Sequence, residues 1–134
     1  MSANSAEDEA RGAADFLFSL MEQAWNSADV DAYSQLYGED VGYVNRYGDF
    51  FQSRTEVARI HADAFAGRFQ NTKLRIATRR FRLLAPDAAV AHVDVFTNEA
   101  GTAEVRAIAT VVLAKQESGW HIAALHVADI TSAQ

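Results

Sequence analysis

The sequence has no cysteine, a single proline and no apolar run long enough to cross a membrane. Without cysteine there is no disulfide framework, no thiol nucleophile and no thiolate metal site. One proline and seven glycines in 134 residues leave no room for a long flexible linker. A single domain over 10–134 is therefore expected, behind a flexible tail at 1–9. Positive charge is scarce too: the formal charge of −6 excludes a protein that holds nucleic acid by neutralising phosphates. Arg75, Arg79, Arg80 and Arg82 form the only basic concentration, and they read as the solvated edge of a strand. Acidic residues stand near the start where a secretory leader needs a basic stretch and then an apolar one, so a cytoplasmic protein without a membrane partner is expected. The His-Glu-x-x-His pattern, the glycine-rich phosphate loop and the Gly-x-Ser-x-Gly elbow are all missing. No metal and no cofactor are expected.

What is present is periodicity, and it changes halfway. Ala13, Phe16, Leu17, Leu20, Met21, Ala24, Trp25 and Ala28 recur at steps of three and four, the stripe of an amphipathic helix. Asp29 can cap a second helix with Tyr33, Leu36 and Tyr37 on one face and Gly38 at its end. Val41 to Asn45 and Phe50 to Gln52 read as a hairpin turning through Arg-Tyr-Gly-Asp. Ser53-Arg-Thr-Glu56 is a capping box, and it predicts a third helix with Val57, Ile60, His61, Ala64 and Phe65 on one face, ending at Gly67. Residues 72–84, 88–97, 103–115 and 119–130 are β-branched-rich runs separated by turn residues, a meander of antiparallel strands. Helices followed by strands indicate α+β.

The ordered combination WNSADVDAYSQLYGEDVGYV, GDFFQSRTEVARIHADAFAG, LLAPDAAVAHVDV and ATVVLAKQESGWHIAALH resembles the nuclear-transport-factor-2-like superfamily, which includes ketosteroid isomerases and SnoaL-like polyketide cyclases. Within it the chain looks most like the SgcJ/EcaC-type branch of enediyne clusters. The resemblance implies a cone: three N-terminal helices packed on a strongly curved, mainly antiparallel sheet of about six strands. It also implies a pocket between the layers and a homodimer through the outer sheet face. The isomerase base, a carboxylate late in the first strand, falls at Asn45, and an amide cannot take a proton at neutral pH. On the strand where the isomerases keep their oxyanion donors, only Glu104, Arg106 and Thr110 are polar.

Three residues are therefore candidates for chemistry: His61, Asn45 and His126. Tyr43, Phe51, Phe65, Trp25, Tyr37 and Phe96 are candidates for holding a ligand, since aromatics supply large contact area at little entropic cost. His61 on an apolar helix face reads either as a satisfied core histidine or as a pocket acid or base. His126 has the parity of Trp120 and Ile122 on the last strand. His92 and Asp94 share one face of their strand, pocket or solvent, opposite Ala89, Ala91, Val93 and Val95. The function expected is binding, or acid/base chemistry of the cyclase or isomerase type, on an apolar aromatic or polyketide-derived metabolite of enediyne-type biosynthesis. The alternatives are a non-catalytic protein that sequesters a reactive metabolite, and a dimeric interaction module.

Overall fold

A computed structural model describes residues 3–67, 69–99 and 104–130. Its elements are α1 (Ala3–Asn26), α2 (Val30–Ser34), β1 (Tyr37–Val44), β2 (Phe50–Gln52), α3 (Arg54–Ala66), β3 (Thr72–Ala85), β4 (Ala88–Glu99), β5 (Val105–Gln116) and β6 (Gly119–Asp129). The six strands form one sheet in the order β2-β1-β6-β5-β4-β3. Its pairs are antiparallel except β1 with β6, which run parallel, so the sheet is mixed. Two helices precede the strands, but α3 follows β1 and β2, so the helices are not all N-terminal. Ala100 to Ala103, at the turn expected between β4 and β5, lie outside the described residues.

α1 buries Ala10, Ala14, Leu17, Phe18, Met21, Ala24 and Trp25. This stripe is rotated from the one expected: Ala14 and Phe18 face inward, whereas Phe16 is 65% exposed. The helix also covers residues 3–9, set apart above as a tail; Glu9 there meets Lys115 of β5 at 3.2 Å. At the other end Ala28 takes a left-handed φ of 54° while Asp29 N–H returns to Ala24 C=O at 2.8 Å. The chain thus leaves the helix two residues before the expected end.

β3 is an edge strand, and α1 closes part of it. The Leu74 and Ile76 N–H groups donate to Asn26 Oδ1 and Glu22 Oε2, each at 2.7 Å. Backbone donors that would otherwise offer pairing to another chain are satisfied by helix side chains.

α2 is capped by Asp29, whose Oδ1 accepts from Ala32 N–H at 3.1 Å. It ends at Ser34, not near Gly38, because β6 claims the backbone that follows: Ile122 N–H donates to Leu36 C=O at 2.9 Å, and Tyr37 pairs with Ile122. α3 starts as its capping box predicts. Ser53 Oγ accepts from Glu56 N–H at 3.2 Å, while Glu56 Oε1 accepts at 2.7 Å from the N–H of Gln52, one residue before the cap, because Ser53 N–H is taken by Val41 C=O.

The core lies between the helices and one face of the sheet, the inner face. Ala89, Ala91 and Val93 of β4 and Ala107, Ala109, Val111 and Leu113 of β5 are buried there. On β6 the alternation breaks. Val112 pairs with Ala124 but Leu113 with Ile122, so Ala123 is an extra residue. Such a bulge inverts side-chain parity. Ile122 faces inward before it, and Leu125 and Val127 face inward after it.

Candidate functional site

Between the helices and the inner face lies a cavity of about 310 Å³. Its walls are mostly apolar: Phe18, Met21 and Trp25 of α1, Ile60 of α3, Leu74 and Ile76 of β3, with Val93, Val95, Ala109, Val111, Leu125 and Val127 of the central strands. That size is at the low end for ligand pockets and equals the liquid volume of roughly ten waters. A one-ring or two-ring molecule fits it.

The polar groups are few. His61 is 4% exposed, carried inward by the stripe of α3. Its Nδ1 lies 2.8 Å from Val57 C=O, one helical turn back. A carbonyl can only accept, so Nδ1 carries the hydrogen and Nε2 holds a lone pair. Tyr43 Oη is 3.5 Å from that nitrogen and donates to it. Burial pulls the His61 pKa down to about 4, against the opposing effect of the Val57 hydrogen bond. The imidazole is thus neutral at physiological pH, with an unprotonated nitrogen beside the cavity.

The tyrosines are donors, not bases. Burial pushes the Tyr43 phenol up to about 12, partly offset by the nearby Arg46 guanidinium. Burial likewise raises Tyr33 and Tyr37 well above the ordinary tyrosine value. Tyr37 is fully buried behind Tyr33, to which its hydroxyl donates at 2.8 Å. The Tyr33 ring stands 4.4 Å from the His61 ring, and Trp25 meets His61 edge-on at 6.0 Å.

Of the residues proposed from sequence, Trp25, Tyr43, Asn45 and His61 line this one cavity. Phe65 stands behind the wall with its ring edge against Trp25 at 5.0 Å, and Phe51 pairs with Tyr43 on the strand backbone. Neither borders the cavity, nor does Tyr37. His126 and Phe96 lie on the other face of the sheet. His126 is turned there by the Ala123 bulge and shares a shallow depression with Gly42, Val44, Phe50 and Thr110. Phe96 alternates with inward Val95 and Thr97, and its outer ring face lies 3.9 Å beneath the Arg75 guanidinium. His92 and Asp94 take that same outer side, where Asp94 pairs with Arg79 at 2.6 Å.

Asn45 borders the cavity but serves the hairpin. Its Oδ1 accepts from Tyr47 N–H at 2.9 Å and from Asp49 N–H at 3.0 Å. This is the Asx device that shapes a turn, and it leaves no free lone pair directed at a ligand. Sequence reasoning did not single out Tyr33, Arg46, Phe69 and Thr97, all on the cavity wall. Thr97 was accessible to it, being the next residue on the apolar parity of β4. Arg46 was not, because a charge in a tight turn ordinarily reads as solvated.

Among the described residues no group of three or more histidines and carboxylates is placed to hold a metal, and no helix is long and apolar enough to cross a membrane. A profile of the SnoaL-like domain matches residues 16–130. No protein of curated function matches the sequence. Among solved structures, the chain is similar to a domain of unknown function with a cystatin-like fold from Nostoc punctiforme (TM-score 0.83, 20% identity, 98% of this chain and 81% of that one). It is also similar to a hexachlorocyclohexane dehydrochlorinase from Novosphingobium barchaimii (TM-score 0.82, 11% identity, 96% and 92%). A third is a ketosteroid isomerase-like protein from Erwinia carotovora atroseptica (TM-score 0.74, 15% identity, 90% and 96%). At these identities the likeness establishes the fold, α+β and cystatin-like.

Proposed function

The chain belongs to the SnoaL-like domain family, and from that premise we propose that it takes a small aromatic or polyketide-derived metabolite into its cavity and moves a proton on it through His61. The observation that carries this reading is the fixed tautomer: Nδ1–H is held by Val57 C=O, so Nε2 is unprotonated on the wall of an apolar cavity, in reach of the Tyr43 hydroxyl alone among the described residues. In the proposed step Nε2 removes a proton from carbon or oxygen of the ligand. The Tyr43 hydroxyl turns from Nε2 to donate to the oxygen that gains charge, and the proton returns to the ligand at another atom. An isomerisation or ring closure balances on these terms. The setting proposed is cytoplasmic, within enediyne-type natural-product biosynthesis.

A second reading, a binding protein without turnover, is favoured by one observation. Nδ1 is engaged by a backbone carbonyl and not by a carboxylate, so an imidazolium gains only a neutral acceptor on that side, too little to offset burial. Native mass spectrometry of the protein purified from its own host identifies the occupant, which is then supplied to the wild type and to His61→Gln. Turnover lost with binding retained supports the enzyme; a change confined to affinity supports the binder; an empty cavity that takes up no aromatic compound overturns both.

The homodimer is proposed through the outer sheet face, where Phe50 is 58% exposed beside Val44, Val112 and Ala124. Sedimentation of wild type and Phe50→Asp checks it, with a dimer expected for the first and a monomer for the second. A wild-type monomer at micromolar concentration overturns it.

A further inference from the structure

Arg46 is the one cationic side chain on the cavity wall among the described residues, and its surroundings differ from those of an ordinary turn arginine. Its side chain is only 11% exposed. The guanidinium lies over the Phe69 ring, 5.2 Å from its centre, and reaches Asp129 Oδ1 at 3.3 Å. Asp129 is at the end of β6 with its side chain 40% exposed. A cation held against an aromatic ring on the wall of an apolar cavity has a fixed position, and guanidinium geometry matches a carboxylate in two parallel hydrogen bonds. The existing partner can be exchanged, because Asp129, with its side chain 40% exposed, regains water when it releases the guanidinium.

We propose that Arg46 selects ligands with a carboxylate head, receiving it in exchange for Asp129 while the ring enters the cavity toward Tyr43 and His61. This rests on the cavity reading above and adds to it the class of ligand, an aryl monocarboxylate. Asp63, exposed on α3, also borders the cavity. Its charge is screened by water, whereas Arg46 is largely shielded from it, so the cation dominates for a single negative charge.

The experiment is calorimetric titration with 2-naphthoate and with its neutral counterpart 2-naphthamide. Wild type is expected to bind naphthoate more tightly. Arg46→Gln is expected to weaken naphthoate about tenfold or more, the loss of a hydrogen bond to a charged group, and to leave naphthamide unchanged. Arg46→Lys, which keeps the charge and loses the fork, falls between. Asp129→Asn removes the internal competitor and is expected to tighten naphthoate alone, a gain that a misfolded variant cannot produce. Equal affinity of the two probes for wild type, or naphthoate binding indifferent to both Arg46→Gln and Asp129→Asn, overturns the inference while the cavity reading stands. Failure of both probes to bind wild type overturns the two together.

Discussion

The two faces of the sheet separate three of this chain's four histidines, and with them its chemistry. On the inner face the side chains from β4 and β5 are alanine, valine and leucine with the single hydroxyl of Thr97, and the imidazole on that side, His61, comes from a helix and is nearly sealed from water. On the outer face His92 and His126 flank Thr110 across three adjacent strands, with Asp94 and Arg79 paired beside them. The same residue type is a sealed, oriented base in one place and lies on the face without helices in the other, His126 exposed and His92 half-buried. Burial and a locked tautomer distinguish a candidate catalyst; the presence of a histidine does not.

The comparison breaks most visibly if the inner face tolerates truncation. Ile122, fully buried where β6 meets Leu113 and Tyr37, is expected to lose about 2–5 kcal/mol on Ile122→Ala, since the bulge beside it limits how far the strand can close on the void. His126→Ala, four residues on but across the sheet, is expected to change stability by less than about 0.5 kcal/mol when both variants are made in the monomeric Phe50→Asp background. Urea denaturation of the two variants measures both. Similar values would mean that the assigned faces are wrong.

A sharper contrast comes from pH. The folded-state pKa of His61, about 4, lies below the ordinary value of 6.5, so between these values the unfolded chain binds the extra proton. Stability is therefore complete above pH 6.5 and falls as the pH drops toward 4, by roughly 3 kcal/mol in all. His61→Gln is expected to remove most of that slope. Chemical denaturation at pH 7, 5.5 and 4.5 gives the slopes. An unchanged acid limb in His61→Gln would show that the imidazole is not the buried neutral group described.

Much of this architecture was legible in the sequence, for a physical reason. Local devices write themselves in a few residues: the Ser53 capping box, the Gly48 turn and the four strand runs all form where the pattern put them, and so does the inward turn of His61 on its helix. Non-local pairing does not. Nothing near Leu36 announces that Ile122 will claim its carbonyl and begin a strand, and no residue at Ala123 marks a bulge, so the parity that pointed His126 inward reverses three residues before it. The α1 stripe was ambiguous because apolar residues at 13, 14, 16, 17, 18, 20 and 21 leave two faces open, and only packing chooses between them. Phe96 followed the same logic: its aromatic character suggested a ligand contact, but its parity, already opposite to Val93 and Val95, was the better guide.

The smallest effect expected is also on the outer face, at the pair of Arg79 with Asp94. Arg79 is the extra residue of a second bulge, between Thr78 and Arg80 against β4, and that irregularity lets its side chain reach across to Asp94 with Nη2 at 2.6 Å and Nε at 3.4 Å. Two contacts to one carboxylate make this the best-oriented ion pair on the surface described. Yet the arginine is 54% exposed, and the attraction competes with water and with the entropy of holding a long side chain. Asp94→Asn is expected to lower stability by only about 0.2–1 kcal/mol, with the difference from wild type shrinking as salt is raised from 0.05 to 0.5 M, as screening requires. Urea midpoints at the two salt concentrations measure it. A loss above about 2 kcal/mol, or one insensitive to salt, would mean that the pair is shielded from water, and on this face that shielding would have to come from a second chain.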